Sequence, residues 1–363
     1  MDLPNPVHGM SNVNLAVLKG TTKLNLKPNV INTAPSYASK YYNTALWGPF
    51  KFLHTCYCYM QLCFSSLFNI GGVIYRPING GNGQAYDLIY ILLCKVFNNK
   101  IYIHHHSFNY LNSRSYLFAA LNYLIGKNAT HIVLGNTMGK LLTDLYGINA
   151  DNIKIVSNLA FFEAQPSNGP GTNSEQIKIG HLANLCVEKG VDSFIDICRS
   201  LLSQKINFNA VIAGPFADAA TKELVLGAVE ELSQLQYVGP LYGKDKELFY
   251  ETLDCFIFPS KYKNEAEPLV LYEAALNGTY LVGSRRGCMQ NVIESLAGFS
   301  VADTSDAVEK VTEAIKLEKE KHGFCFEGKA KRLAYFQQEQ VKAKKSLLLL
   351  IKEMRYYDIS ETR

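Results

Sequence analysis

The sequence predicts two doubly wound α/β domains joined by a flexible connection. Two observations carry that prediction. Short β-branched runs alternate with helical periods along the chain, and one mid-chain stretch shows neither. Strand–helix alternation implies parallel sheets with helices on both faces. In the first half, strands are expected at Val73–Tyr75, Lys100–His105, His131–Gly135 and Lys154–Asn158, with helices such as Gln84–Phe97 and Ser113–Leu124 between them. In the second half, strands are expected at Ile177–Ala183, Ala210–Gly214, Tyr237–Pro240, Cys255–Pro259 and Tyr280–Ser284.

The stretch without periodicity, Phe162–Gln176, reads FEAQPSNGPGTNSEQ and has the composition of a linker. It divides the 363 residues into a first domain (1–161), a linker (162–176) and a second domain (177–328). A helical segment (329–363) follows, and its apolar Leu347–Ile351 run should dock back on the protein. The first domain opens unusually. A doubly wound domain ordinarily begins with a buried strand, but here a loop from Pro4 to Met10 leads into a helix near Ser11–Lys19.

Composition narrows the function. No apolar run is long enough to suggest a transmembrane helix, and the first residues lack the charged and apolar regions of a secretory leader. The nine cysteines are scattered with no CxxC pair, which reads as packed, reduced thiols and implies no metal site. Residues 1–160 hold 12 Lys and Arg against 4 Asp and Glu, whereas the remainder holds 24 against 28. A basic, aromatic first half fits an anionic partner such as a membrane surface or a lipid phosphate; the other reading is a solvated excess of charge. Nucleic acid is disfavoured, because no recognition module is present and the second half is acidic. Trp47–Phe68 is apolar and aromatic with Lys51 as its only charge. It reads either as a core helix or as one facing a membrane or a lipid-linked acceptor.

The chemistry concentrates in CFIFPSKYKNEAEPLVLYEAALNG, from Cys255 to Gly278. A buried strand ends at Pro259, and a helix is expected to begin near Glu267–Pro268, where proline suits a first turn. The first-turn amides of Leu269 and Val270 have no partner within such a helix and can bind an anion. Glu265 precedes the helix and Glu273 lies inside it, eight residues apart. Carboxylates so placed would repel phosphates, but they can accept hydrogen bonds from sugar hydroxyls. The bland alternative is favourable charge at a helix start.

This stretch resembles the E-x7-E motif of the family 4 retaining glycosyltransferases, whose fold is GT-B: two Rossmann-like doubly wound domains facing a central cleft. The resemblance implies that Glu265 contacts the donor sugar and Glu273 the nucleotide ribose, beside Pro268, Leu269 and Val270. A second block, IKIGHLANLCVEKGVD from Ile177, resembles the family's G-R-L-x-x-E-K-G-x-D. It implies that Lys189 neutralises the donor diphosphate. Asn184 stands where the family often has Arg, which removes one cationic contact to the leaving group. Pro240, Leu241 and Tyr242 lie in a segment similar to the loop that meets the nucleotide base. GSRRGCMQNV, from Gly283, lacks the family's Pro-Glu pair, so no role is assigned to that turn. Gly9 lies in a loop resembling the one that approaches the donor phosphates. In IYIHHHSFNY, the resemblance implies a cleft-facing histidine, His105 or His106; periodicity alone does not choose, and a packed histidine is the competing reading. The loop Asn79–Gly83 lacks any phosphate-loop signature and reads as a cleft-lining loop.

Taken together, these residues lead to an expected function. The chain should be a retaining transferase that moves a sugar from a nucleotide-sugar donor to a glycan or lipid-linked acceptor, without metal or other cofactor. The expected setting is bacterial surface polysaccharide assembly, on the cytoplasmic face of a membrane. The rivals are a sugar-nucleotide epimerase or phosphorylase, and a non-catalytic partner of the same fold.

Overall fold

The computed structural model describes residues 1–4, 9–23, 27–41, 44–163 and 176–361. The chain divides into two compact units, Met1–Phe162 with Lys342–Arg363, and Glu163–Val341. Most of the linker lies outside the described residues.

The first unit contains α1 (Gly9–Lys23), α2 (Trp47–Leu67), β1 (Val73–Pro77), α3 (Gln84–Val96), β2 (Lys100–His104), α4 (Tyr116–Ile125), β3 (Thr130–Val133), α5 (Asn136–Tyr146) and β4 (Ile153–Ile155). Its four strands are parallel, in the order β1-β2-β3-β4. The strand order does not reverse among the described residues, so only a single winding is seen here. The segment before α2 contributes α1 and a 3-10 turn rather than strands. Ser115 caps α4, its hydroxyl accepting from Phe118 N at 3.3 Å, which starts that helix later than periodicity suggests.

The second unit contains β5 (Ile177–Leu182), α6 (Val191–Ser203), β6 (Phe208–Ala213), α7 (Ala219–Glu231), β7 (Leu235–Tyr237), α8 (Gly243–Thr252), β8 (Cys255–Phe258), α9 (Leu269–Ala275), β9 (Tyr280–Ser284), α10 (Met289–Ser295), β10 (Phe299–Val301) and α11 (Ala307–Glu320). Six parallel strands run in the order β10-β9-β8-β5-β6-β7. This sheet is doubly wound. Its core joins buried Ile, Val, Leu and Phe side chains of β5, β6, β8 and α6 with Val225 of α7 and Val311 and Ile315 of α11. β7 runs Leu235–Tyr237 rather than Tyr237–Pro240, although Val238 N still donates to the Ile212 carbonyl at 3.0 Å, and β10 was not expected from the sequence.

The last helix, α12 (Phe326–Glu361), begins in the second unit and from Lys342 onward belongs to the first. In the second unit Lys329 reaches Asp254 at 3.2 Å and the Leu253 carbonyl at 3.0 Å, and Arg332 Nε donates to the Gly278 carbonyl at 2.7 Å. In the first, Leu350 and Ile351 are buried and Tyr102 Oη donates to Glu353 at 3.2 Å. Within the Leu347–Ile351 run, Leu350 and Ile351 are buried while Leu349 is exposed.

Candidate functional site

In the second sheet the winding reverses beside β5: β6 and β7 extend to one side, β8, β9 and β10 to the other. Loops leaving the carboxyl ends of β5 and β8 diverge at this point, which is where doubly wound sheets bind ligands. Those two loops carry Lys189 and Glu265.

Their backbones are held together closely. The β5 loop passes through a 3-10 turn, Val187–Lys189, to Gly190, which has φ +82°. A Cβ there would stand 2.1 Å from the Pro259 carbonyl oxygen, so only glycine lets this turn press against the end of β8. Lys261 N donates to the Glu188 carbonyl at 2.8 Å, closing the same seam. His181 reinforces it from below: its ring is fully buried between Phe194 and Phe258, and Nδ1 donates to the Ile257 carbonyl at 2.9 Å. Burial pushes the His181 pKa down to about 4, so the ring is neutral.

Across the seam, Lys189 Nζ donates to Glu265 Oε2 at 2.6 Å, and Ser260 Oγ donates to the same oxygen at 3.1 Å. Both of these hydrogen bonds fall on Oε2, which leaves Oε1 for a ligand. The lysine also stands 4.8 Å from the centre of the Tyr262 ring, a cation–π distance. Glu265 is buried.

The turn after β9, to which the sequence assigned no role, supports Glu265 from behind. Cys288 N donates to the Ala266 carbonyl at 2.8 Å, and a Cβ on Gly287 (φ +52°) would meet the Glu265 carbonyl oxygen at 2.1 Å. The missing Pro-Glu pair therefore removes side chains but not the backbone support. Glu267 is also buried and accepts from Tyr272 Oη at 2.6 Å, so it is a structural carboxylate of the α9 start.

Pro268 is the N-cap residue of α9, whose first residues are Leu269 and Val270. One turn further on, Glu273 accepts from Lys246 Nζ at 2.7 Å and from Tyr250 Oη at 3.0 Å. Both donors come from α8, four residues apart and hence on one face. Sequence reasoning missed them; the only signal was that spacing. α8 itself begins immediately after Pro240, Leu241 and Tyr242, in an exposed loop tied back by a Gly214 N to Gly239 O bond of 2.9 Å. Asn184 is exposed on the β5 loop.

In the first unit, His104, His105 and His106 follow the two-residue alternation at the end of β2. His104 and His106 share a face with ring centres 3.9 Å apart, while His105 points to the other. His105 is wholly buried and both its nitrogens are occupied, Nδ1 by Tyr110 Oη at 2.8 Å and Nε2 by His131 Nδ1 at 3.0 Å. It is a packed core histidine and is closed to a substrate. His106 is half-buried, and burial pushes its pKa down to about 4. Its Nε2 has no partner. Asn5 to His8, most of the expected phosphate-approaching loop, lie outside the described residues, and Gly9 is the first residue of α1. The Asn79 loop is anchored by Asp87, which accepts from Asn79 N at 2.9 Å and pairs with Arg76 at 2.6 Å.

Residues 165–331 match the family described as Glycosyl transferases group 1. No curated protein matches the chain. Among solved structures, it is similar to Anabaena Alr3699/HepE in complex with UDP, at 15% identity and TM-score 0.64, covering 82% of each chain. A glycosyltransferase from Rickettsia africae ESF-5 matches at 15% identity and TM-score 0.65, covering 97% of this chain and 95% of that one. Sucrose-phosphate synthase from Thermosynechococcus elongatus matches at 16% identity and TM-score 0.60, covering 79% and 74%. Fold and family match together define the class: a glycosyltransferase enzyme of the GT-B fold.

Proposed function

We infer that the second unit is the donor domain of a retaining glycosyltransferase that uses a nucleotide-diphosphate sugar. The observation that carries this reading is the Lys189–Glu265 pair, held at 2.6 Å on adjacent strand ends at the reversal of the sheet. One member offers a cation to a diphosphate, the other a carboxylate to sugar hydroxyls. Glu273 takes the ribose hydroxyls, the Pro240–Tyr242 loop borders the base, and the amides of Leu269 and Val270 face the phosphates. His106 is the first-unit histidine proposed to face a substrate. In the transfer, the bond from the anomeric carbon to the donor phosphate breaks and a bond to the acceptor oxygen forms on the same face. The acceptor's proton passes to the departing phosphate. The protein supplies positioning and charge stabilisation, and no step calls on a metal. The acceptor is a glycan or a lipid-linked glycan, in surface polysaccharide assembly on the cytoplasmic side of a membrane.

Uridine diphosphate sugars are the first donors to try, because HepE was solved with UDP and with UDP-glucose. The test is melting temperature against a panel of nucleotide sugars, followed by NMR of the sugar released when the stabilising donor is hydrolysed without acceptor. Stabilisation by one donor and release of the retained anomer are expected. The inverted anomer refutes retention, and binding of the donor with no turnover under any condition refutes the enzymatic reading. One observation favours a non-catalytic partner instead: the exposed, uncharged Asn184 at a position where a cation would assist the leaving group. Absence of binding to every nucleotide diphosphate would support that alternative.

A further inference from the structure

We propose that the outer face of α2, α3 and α4 is a docking surface for an anionic lipid bilayer. The proposal deepens the membrane-side acceptor reading, but it rests on this surface alone.

Helix α2 is amphipathic in an inverted sense. Thr55, Cys58, Leu62 and Ser66 face inward and are buried, so the inner stripe is small and partly polar. The outward stripe is the larger and more apolar one. Leu53, Tyr57, Met60, Phe64 and Leu67 recur at helical spacing, all of them exposed, with Phe64 at 67%. Helix α3 packs between α2 and α4. Its exposed Ile89, Leu92 and Val96 repeat the pattern, and on α4 Tyr116 and Tyr123 are each 90% exposed. Three neighbouring helices thus turn apolar and aromatic side chains outward together. Patches of this extent are uncommon on a protein that stays in water by itself.

Charge selects the occupant. Between Thr44 and Asn128 the only acidic residue is Asp87. It is buried and paired with Arg76 at 2.6 Å, so it adds no negative charge to the surface. The other charges of this span are cations, among them Lys51, Lys95, Arg114 and Lys127. The whole unit holds 18 Lys and Arg against 7 Asp and Glu. A second copy would bring the same positive field against itself, whereas anionic headgroups complement it. Among the described residues no helix is long and apolar enough to cross a membrane, so the arrangement is that of helices lying in the interface plane. Phenylalanine and leucine enter the acyl boundary, tyrosines sit at the headgroups, and the exposed Lys95, Arg114 and Lys127 reach phosphates.

Flotation of the full chain with vesicles, without any nucleotide sugar, tests this. Vesicles of phosphatidylcholine with about one-third phosphatidylglycerol should carry the protein up at low salt, those of pure phosphatidylcholine should carry at least ~10-fold less, and raising the salt should release it. The Met60→Glu, Phe64→Glu double variant replaces exposed side chains, so it should melt like the wild type and lose at least ~10-fold in vesicle binding. If that variant unfolds, Leu92→Glu on α3 makes the same test. Wild type that stays at the bottom with anionic vesicles, or a folded variant that floats as well as wild type, overturns the proposal. So does a stable dimer in sedimentation that the substitutions dissociate. Donor turnover is read separately, so failure of the transferase reading leaves the flotation result standing.

Discussion

Replacing Gly190 with Ala tests whether the site depends on backbone contact between the β5 and β8 loops. The added Cβ would lie 2.1 Å from the Pro259 carbonyl oxygen. A carbon and a carbonyl oxygen normally approach no closer than about 3.3 Å, so the overlap is about 1 Å. The Cβ is fixed by its own backbone and the oxygen belongs to another backbone segment, so neither can rotate away. The positive φ of +82° adds about 1–2 kcal/mol for an L-residue, and forced overpacking adds about 1–3 kcal/mol. The expected cost is about 2–5 kcal/mol, a fall in melting temperature of roughly 5 °C or more for a unit of this size. Relief of the clash moves Lys189, the adjacent residue, by about 1 Å, enough to reduce turnover by roughly 100-fold. Gly227 supplies the control. It is exposed within α7 with nothing within 4 Å of its Cβ position, so Gly227→Ala should be neutral or stabilising by up to about 1 kcal/mol. Urea unfolding and donor turnover on both variants decide the matter. A Gly190→Ala protein with wild-type stability and turnover would refute the reasoning.

Four further outcomes are expected. Lys189→Ala and Glu265→Gln should each reduce transfer by at least ~100-fold with near-normal circular dichroism; near-normal turnover in both would show the site is misassigned. Tyr250→Phe removes the 3.0 Å hydrogen bond to Glu273 and should raise the donor KM about 5-fold with little change in kcat; an unchanged KM would detach Glu273 from donor binding. His131 and His181 are buried with pKa values pushed down to about 4, so the folded protein holds them neutral while the unfolded chain protonates them near 6.5. Their contribution is complete above pH 6.5 and is lost as the pH falls toward 4, by about 3 kcal/mol each; flat stability between pH 7 and 5 would contradict it. Finally, Cys288→Ala should preserve turnover within about 2-fold, because the support it gives Ala266 comes from its backbone N–H; a large loss would assign the thiol a role the geometry does not.

What the sequence made legible was governed by local periodicity and local motifs. Each of the nine expected strands overlaps an observed one; buried strands such as β8 and β9 read as continuous apolar runs, whereas the edge strands β4 and β7 are only partly buried. β10, Phe299–Val301, was not expected from the sequence. The helix start at Pro268 was readable because proline marks it. The gathering of Lys189 with Glu265 was not readable by itself, since they lie 76 residues apart and meet only because β5 and β8 are neighbours. Motif resemblance stood in for that topology. Lys246 and Tyr250 had no such help, and the packing of α8 against α9 alone brings them to Glu273. The choice among His104, His105 and His106 stayed open for a related reason. Alternation separates His105 from the other two, but which face is closed depends on Tyr110 and His131, elsewhere in the chain.

The pairings also resolve a difficulty in the donor reading. Two glutamates beside a diphosphate should repel it: at about 5 Å and an effective dielectric of about 20, each pair of unit charges costs about 3 kcal/mol. Removing the carboxylates would abolish that repulsion, but the hydroxyl acceptors would go with them. Here Glu265 is matched by Lys189 at 2.6 Å and Glu273 by Lys246 at 2.7 Å. Each carboxylate keeps lone pairs for hydroxyl protons while its lysine cancels its field at the distance of the phosphates. Ser260 and Tyr250 donate to the same carboxylates and fix their orientation without adding charge. The four charged groups sum to zero, so on the proposed donor reading net attraction for a diphosphate would require Lys189 to turn from the glutamate toward the phosphate. On this reading the exposed Asn184 is tolerable for binding, which the paired lysines support, and its effect falls on departure of the leaving group, where an additional cation would stabilise developing charge. Asn184→Arg should therefore raise kcat more than it lowers the donor KM, and a change confined to KM would place the missing charge in ground-state binding instead.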